Sequence, residues 1–271
     1  MKKVVDFFKR SAAVLISNGI PDSAAELSYY LLFSFFPILL TVNSVLGLFR
    51  INVGNLSFLE LLVPHAVLNF ITDYTERSFG GGSMWFLFLG VYLSLWSGSK
   101  YIASLLQKLK SISGAENEGS LIRERLYAVL YATIFLVLSI VSIMFSVAGH
   151  QFFNYIMEKL SLDGSFPDMW LTLRFIIIGA VAYFAAVGIL RLSTSRHNRS
   201  KCYPGAIAVT VLWVVCSLAF SFYIDRIADF SVIYGSIATV IVLLLWLYIT
   251  NTVILLGGTV NRVLRDMRNS E

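Results

Sequence analysis

Six apolar runs of about twenty residues punctuate the chain, near Ala24 to Leu48, Met84 to Leu105, Leu126 to Ala148, Leu171 to Leu190, Ala206 to Tyr223 and Ile233 to Leu256. Each is long enough to cross the ~30 Å hydrocarbon core of a bilayer as a helix. The pattern predicts an all-α, polytopic integral membrane protein with six transmembrane helices. Ahead of the first run, Val4, Val5, Phe8, Ala12 and Leu15 fall on one helical face and Lys2, Asp6, Lys9 and Arg10 opposite. That pattern suits an amphipathic interfacial helix, with a solvated basic tail as the alternative. Asn18, Gly19 and Pro21 separate this segment from the first run, and Pro21 with Asp22 suits a helix start. Ser83, after Gly80, Gly81 and Gly82, punctuates the second run in the same way. The expected organisation is an N-terminal interfacial helix over 1–20, a six-helix domain over 21–258 and a C-terminal tail over 259–271.

Composition strengthens the membrane reading. Hydrophobic residues make up 57% and charged residues 14% of the 271, with a mean hydropathy of +0.76. Roughly a quarter of an ordinary soluble domain is charged, so a water-facing surface cannot be built from this chain. Met1 to Ile16 contains Asp6, Lys9 and Arg10 where a cleavable signal needs an unbroken apolar stretch, so insertion is expected to use the mature helices.

The net charge of +5 raises the possibility of nucleic-acid binding, and the placement of the charges answers it. The basic residues sit between the apolar runs. With the N-terminus on the inside, 16 of the 21 Lys and Arg fall in inner segments and 5 in outer ones. This is the distribution that places both termini in the cytoplasm. Membrane lipids are therefore the expected partners, and no nucleic acid is expected. The outer segments Ile51 to Gly82 and Gly149 to Trp170 are too long for simple hairpins and carry apolar residues such as Leu59 and Phe153. They are expected to form short interfacial helices. The first and last three runs show no convincing repeat, since Pro37 has no counterpart in the fourth, so an inverted-repeat transporter architecture gains no support.

The chemistry of interest lies inside the runs. Pro37 sits mid-way along the first, where it removes a backbone hydrogen bond and frees a carbonyl one turn earlier, so a kink is expected. Glu26, Ser28, Tyr30 and Ser34 lie on one side of it, and Thr41, Asn43 and Ser44 on the other. Such groups either glue helices together or line a pathway. Glu26 and Lys100 fall toward the inner ends of their runs. They are expected to face a shared interior, as an ion pair or around a water-filled opening, unless each reaches separately for the interface. Arg174, Asp225 and Asp229 stand at outer ends and are paired in the same spirit. Ser97, Tyr234 and Asn251 complete the candidate cavity, with Asn251 the amide expected to be most buried. Gly179, Ala182 and Ala186 predict close packing of the fourth helix.

Soluble enzyme chemistry has no evident foothold. His65, His150 and His197 are isolated from one another, and Cys202 and Cys216 offer neither a disulfide framework nor metal-ligand spacing. Glu116, Glu118 and Glu124 form the largest inner acidic group, on a short polar linker without the rigid scaffold a two-metal nuclease needs. No glycine-rich phosphate loop is present. No catalytic residue, cofactor or metal is assigned.

The segment Ala24-Ala25-Glu26-Leu27-Ser28-Tyr29-Tyr30-Leu31-Leu32-Phe33-Ser34-Phe35-Phe36-Pro37 resembles the first-helix signature of the YihY/virulence factor BrkB family, also labelled ribonuclease BN-like. Trp96-Ser97-Gly98-Ser99, Tyr203-Pro204-Gly205-Ala206, Tyr234-Gly235-Ser236, Leu245-Trp246-Leu247-Tyr248 and Leu255-Leu256-Gly257 extend the resemblance along most of the chain. It implies a multi-pass protein of the bacterial cytoplasmic membrane with six helices, and no settled activity. The residues themselves favour a permease or exporter for a small or amphiphilic solute. A scaffold for envelope assembly and a membrane-bound ribonuclease are the alternatives.

Overall fold

The computed structural model describes residues 2–48, 84–115, 122–138, 140–141, 166–194, 202–226 and 237–269. Regular structure among the described residues is entirely helical: α1 (Lys2–Ser17), α2 (Ile20–Leu48), α3 (Met84–Ser113), α4 (122–138), α5 (Phe166–Ser193), α6 (Tyr203–Arg226) and α7 (Ala238–Asn269). The first long outer segment, residues 149–165 of the second, the histidines, Glu116, Glu118, Asp229 and Tyr234 lie outside the described residues, as do the side chains of Arg174 and Asp225.

Among the described residues, three helices are long and apolar enough to cross a membrane: Ile20–Leu48, Tyr203–Ile224 and Ala238–Asn269. In α3, which is equally long, Trp85, Tyr92, Ser94, Trp96 and Lys100 dilute the apolar character. The described side chains of α5 form a shorter apolar stretch, Gly179–Ser193. The outward faces are apolar as well: Phe88, Phe184 and Phe222 are each more than 60% exposed. Water does not tolerate such a belt, and lipid does.

The bundle centres on α2 and α7. Helix α2 packs most extensively against α3, and α7 lies against α6, α2 and α3, with α5 packed against α6 and α3. Leu27, Leu105, Leu109, Leu190, Ala206 and Leu255 form the main core where α2, α3, α5, α6 and α7 meet. Phe220, Val242, Leu243 and Leu247 form a second core between α6 and α7. Lipid gives no hydrophobic drive to helix pairing, so close approach depends on small residues. The tightest crossing joins α6 and α7: a Cβ on Gly205 would stand 2.3 Å from the Gly257 carbonyl oxygen, and one on Gly257 2.2 Å from a Val209 methyl. In α5 the close approach is at Gly188, beneath the Tyr131 ring, whereas a Cβ on Gly179 would meet open space.

Helix ends are satisfied by specific groups. Gly114, at φ +72°, turns the chain after α3 so that its own N–H bonds the Ser111 carbonyl (3.1 Å) and the Ala115 N–H bonds that of Lys110 (3.0 Å). Two carbonyls of the last α3 turn accept from α7: Arg262 donates to Ile112 O and Arg265 to Ser113 O, each at 2.9 Å. The guanidinium charges also face the negative end of the α3 dipole. Across the bundle, Asn261 accepts from the Gly205 N–H (2.8 Å) and donates to the Cys202 carbonyl (3.1 Å), capping the start of α6. Helix α7 thus continues past 258 as a packed element, with Thr259 and Val263 buried. The amphipathic α1 rests on α7 and α2. Its Val14 and Leu15 join the main core, while Val5, Phe8 and Ile16 stay exposed.

Candidate functional site

The polar side chains of α2 are organised around Pro37, which lies inside the helix without ending it. Lacking an N–H, Pro37 leaves the Phe33 carbonyl without its usual helical donor. The carbonyl of Pro37 itself accepts from Thr41 Oγ1 at 2.9 Å. That bond uses the Thr41 proton, so Ser94 Oγ donates to Thr41 across the α2/α3 crossing at 3.1 Å. Gly90 makes the crossing possible, since a Cβ there would fall 2.7 Å from Thr41 Oγ1. Ser34 and Ser44 bond back to Leu31 O and Leu40 O, each at 2.8 Å, and Ser97 to Leu93 O at 2.6 Å. These hydroxyls are therefore occupied by their own helices. Tyr30 is half-buried against the main core. Asn43 differs from all of them: it is buried, and its Oδ1 has no hydrogen-bond partner.

One turn above the Glu26 end of the bundle, three helices meet at Asn251. This side chain is fully buried. Its amide donates to Leu247 O (2.9 Å) and Ser28 Oγ (3.2 Å), and its carbonyl accepts from the Tyr101 hydroxyl (2.8 Å). Ser28 in turn donates to Ala24 O at 2.6 Å. The junction ties α2, α3 and α7 with every member satisfied, which is a packing role rather than an open one.

Glu26 and Lys100 do not pair. The Glu26 carboxylate meets Lys108 Nζ at 2.7 Å and accepts from Ser104 Oγ at 3.3 Å. Antiparallel packing of α2 and α3 accounts for this: Thr41 is level with Gly90 and Ser94, and Ser28 is level with Tyr101, so Glu26 falls opposite 104–108. Lys100 instead lies on the exposed face of α3, its ammonium 4.0 Å from the centre of the Trp96 ring. Sequence reading missed Lys108, Tyr101 and the Asn261, Arg262 and Arg265 contacts. Hydrophobic length locates a helix but not its register against a neighbour.

A small pocket of mixed lining lies at the α3 C-terminus, between Leu109, Ser113, Leu190, Ser193, Asn261 and Arg262 among others, with room on the order of one water molecule. Ser113 Oγ crosses it to bond Ser193 O at 2.7 Å. Nearby, Glu124 of α4 forms an ion pair with Lys110. Among the described residues, no three His, Cys, Asp or Glu side chains converge as a metal site would require.

The model of the virulence factor BrkB family matches residues 12–271. The chain belongs to the virulence factor BrkB family. Among relatives of this BrkB-family protein, the putative ribonuclease-like protein YfkH of Bacillus subtilis is 29% identical over 252 residues, covering 91% of this chain and 90% of its own. A UPF0761 membrane protein of Vibrio parahaemolyticus is 24% identical over 273 residues, covering 98% and 84%. Another, from Glaesserella parasuis, is 27% identical over 161 residues, covering 59% and 57%. No solved structure matches the chain. The BrkB-family protein is thus a membrane protein, and the names of its relatives carry no common biochemical activity.

Proposed function

We propose that this protein is a permease or exporter-like protein of the bacterial cytoplasmic membrane, moving a small or amphiphilic solute along α2. In this reading α2 to α7 are six membrane spans and both termini are cytoplasmic, in keeping with the distribution of Lys and Arg. The observation that carries the reading is the buried, unpartnered Oδ1 of Asn43 in the outer half of α2. An amide oxygen buried without a donor costs about 1–3 kcal/mol. A pathway that brings water or a solute donor to Asn43 removes that cost. The uncapped Phe33 carbonyl below it supplies a second acceptor on the same helix, and Glu26 with Lys108 marks the cytoplasmic end.

The test is solute flux into proteoliposomes holding the full chain. Flux above protein-free vesicles is expected for at least one member of a panel of small polar and short-chain amphiphilic solutes. Asn43→Ala should lower it about tenfold, the equivalent of ~1.4 kcal/mol. Absence of flux for every member of the panel would overturn the proposal.

A further inference from the structure

Lys100 carries a charge where the proposed topology puts hydrocarbon. It lies eight residues along α3 from Lys108, ~12 Å deeper than the Glu26–Lys108 pair at 1.5 Å per residue. Its level is that of Leu31 to Phe33 on α2, since Ser28 stands level with Tyr101. A lysine near the end of a span ordinarily extends its stem to the nearer interface. Side chains on a helix lean toward its N-terminus, however, and α3 runs inward, so Lys100 leans away from the cytoplasm. Its position over the ring of Trp96, one turn closer to the outer side, shows that direction in this structure. The α2 carboxylate Glu26 lies toward the cytoplasm, away from that lean, and is already held by Lys108 and Ser104. An ammonium at this depth is costly unless an anion meets it.

The surroundings identify what kind of anion fits. Lys100 opens onto an exposed face, with Trp96 half-exposed beside it, Tyr92 and Phe88 further along α3, and Phe33 exposed on α2. A cation bordered by a large apolar and aromatic surface complements a molecule with a negative headgroup and alkyl chains. We propose that Lys100 and Trp96 form a binding site for the headgroup of an anionic amphiphile at membrane depth, its chains lying along Phe88, Tyr92 and Phe33. This rests on the transport reading above and names its substrate class. Trp96 stacks against the Lys100 ammonium and holds it outward, and the ammonium binds the anionic group.

Trp96 also serves as the reporter. With Trp85, Trp170, Trp213 and Trp246 replaced by Phe in the full chain, Trp96 fluorescence is measured in bilayers doped with brominated phosphatidylglycerol or brominated phosphatidylcholine. The bromine quenches by contact, so the signal reads which lipid sits at the site whether or not anything is transported. The expected result is a roughly fivefold higher association constant for the anionic lipid, the effect of ~1 kcal/mol from one basic residue. Lys100→Arg should keep that preference and Lys100→Gln should abolish it, with helical content and unfolding temperature unchanged. Equal quenching by both lipids would overturn the site while leaving flux to be judged on its own. A Trp96 shielded from both lipids would also overturn it, in favour of a protein partner on this face.

Discussion

Single residues divide into those that hold the bundle and those left open to function. Asn251 belongs to the first group, because its amide satisfies groups on two other helices. Asn251→Ala is expected to lower stability by ~1–2 kcal/mol, read as a lower unfolding temperature in detergent. The effect should be matched in part by Tyr101→Phe, which removes the other end of the same bond. Gly205→Ala and Gly257→Ala are expected to cost ~1–3 kcal/mol or more, since each added methyl would overlap the facing helix. Gly179→Ala faces open space and should change stability by less than ~0.5 kcal/mol in the same measurement. The burial of Asn251 was legible from its position in an apolar run, and its partners were not. Glu26 shows the same limit: an inner-end carboxylate in the sequence announces a need for a cation, and only the α2/α3 register selects Lys108 over Lys100.

At the scale of elements, α2 combines length, apolar surface and an internal proline. Pro37→Ala restores a donor for the Phe33 carbonyl, so the helix gains a hydrogen bond. Stability is expected to stay level or rise, while flux in proteoliposomes falls; a fall in stability with unchanged flux would mean that the proline serves packing alone. The extended end of α7 offers a contrasting case. Arg262 and Arg265 hold the last carbonyls of α3, so Arg262→Ala combined with Arg265→Ala should loosen that end and speed amide hydrogen exchange over residues 108–113. Among the described residues, the first, fifth and sixth apolar runs came close to helices long and apolar enough to cross a membrane, because hydrophobic length is a property of one segment. The extension of α7 beyond Leu256 was hidden, because Thr259, Asn261 and the arginines read as a polar tail until their partners on α3 and α6 are known.

Among the described residues, an apolar outer belt, close-packed cores and a network of small-residue crossings describe a membrane-embedded bundle. Within it, polar groups fall into a sealed junction at Asn251 and a buried set along α2, in which the Asn43 Oδ1 has no hydrogen-bond partner. If both termini are cytoplasmic, as the charge distribution implies, tags at either end should be reached by impermeant reagents only after the membrane is breached. The pathway itself is tested most directly by cysteine accessibility along α2. With Cys202 and Cys216 replaced by serine, single cysteines at Ser28, Ser34 and Asn43 are exposed in intact cells to a membrane-impermeant thiol reagent. The account predicts labelling of the cysteine at 43 and none at 28, inside the sealed junction. A cysteine at 43 as unreactive as the one at 28 would contradict the existence of a pathway along this helix.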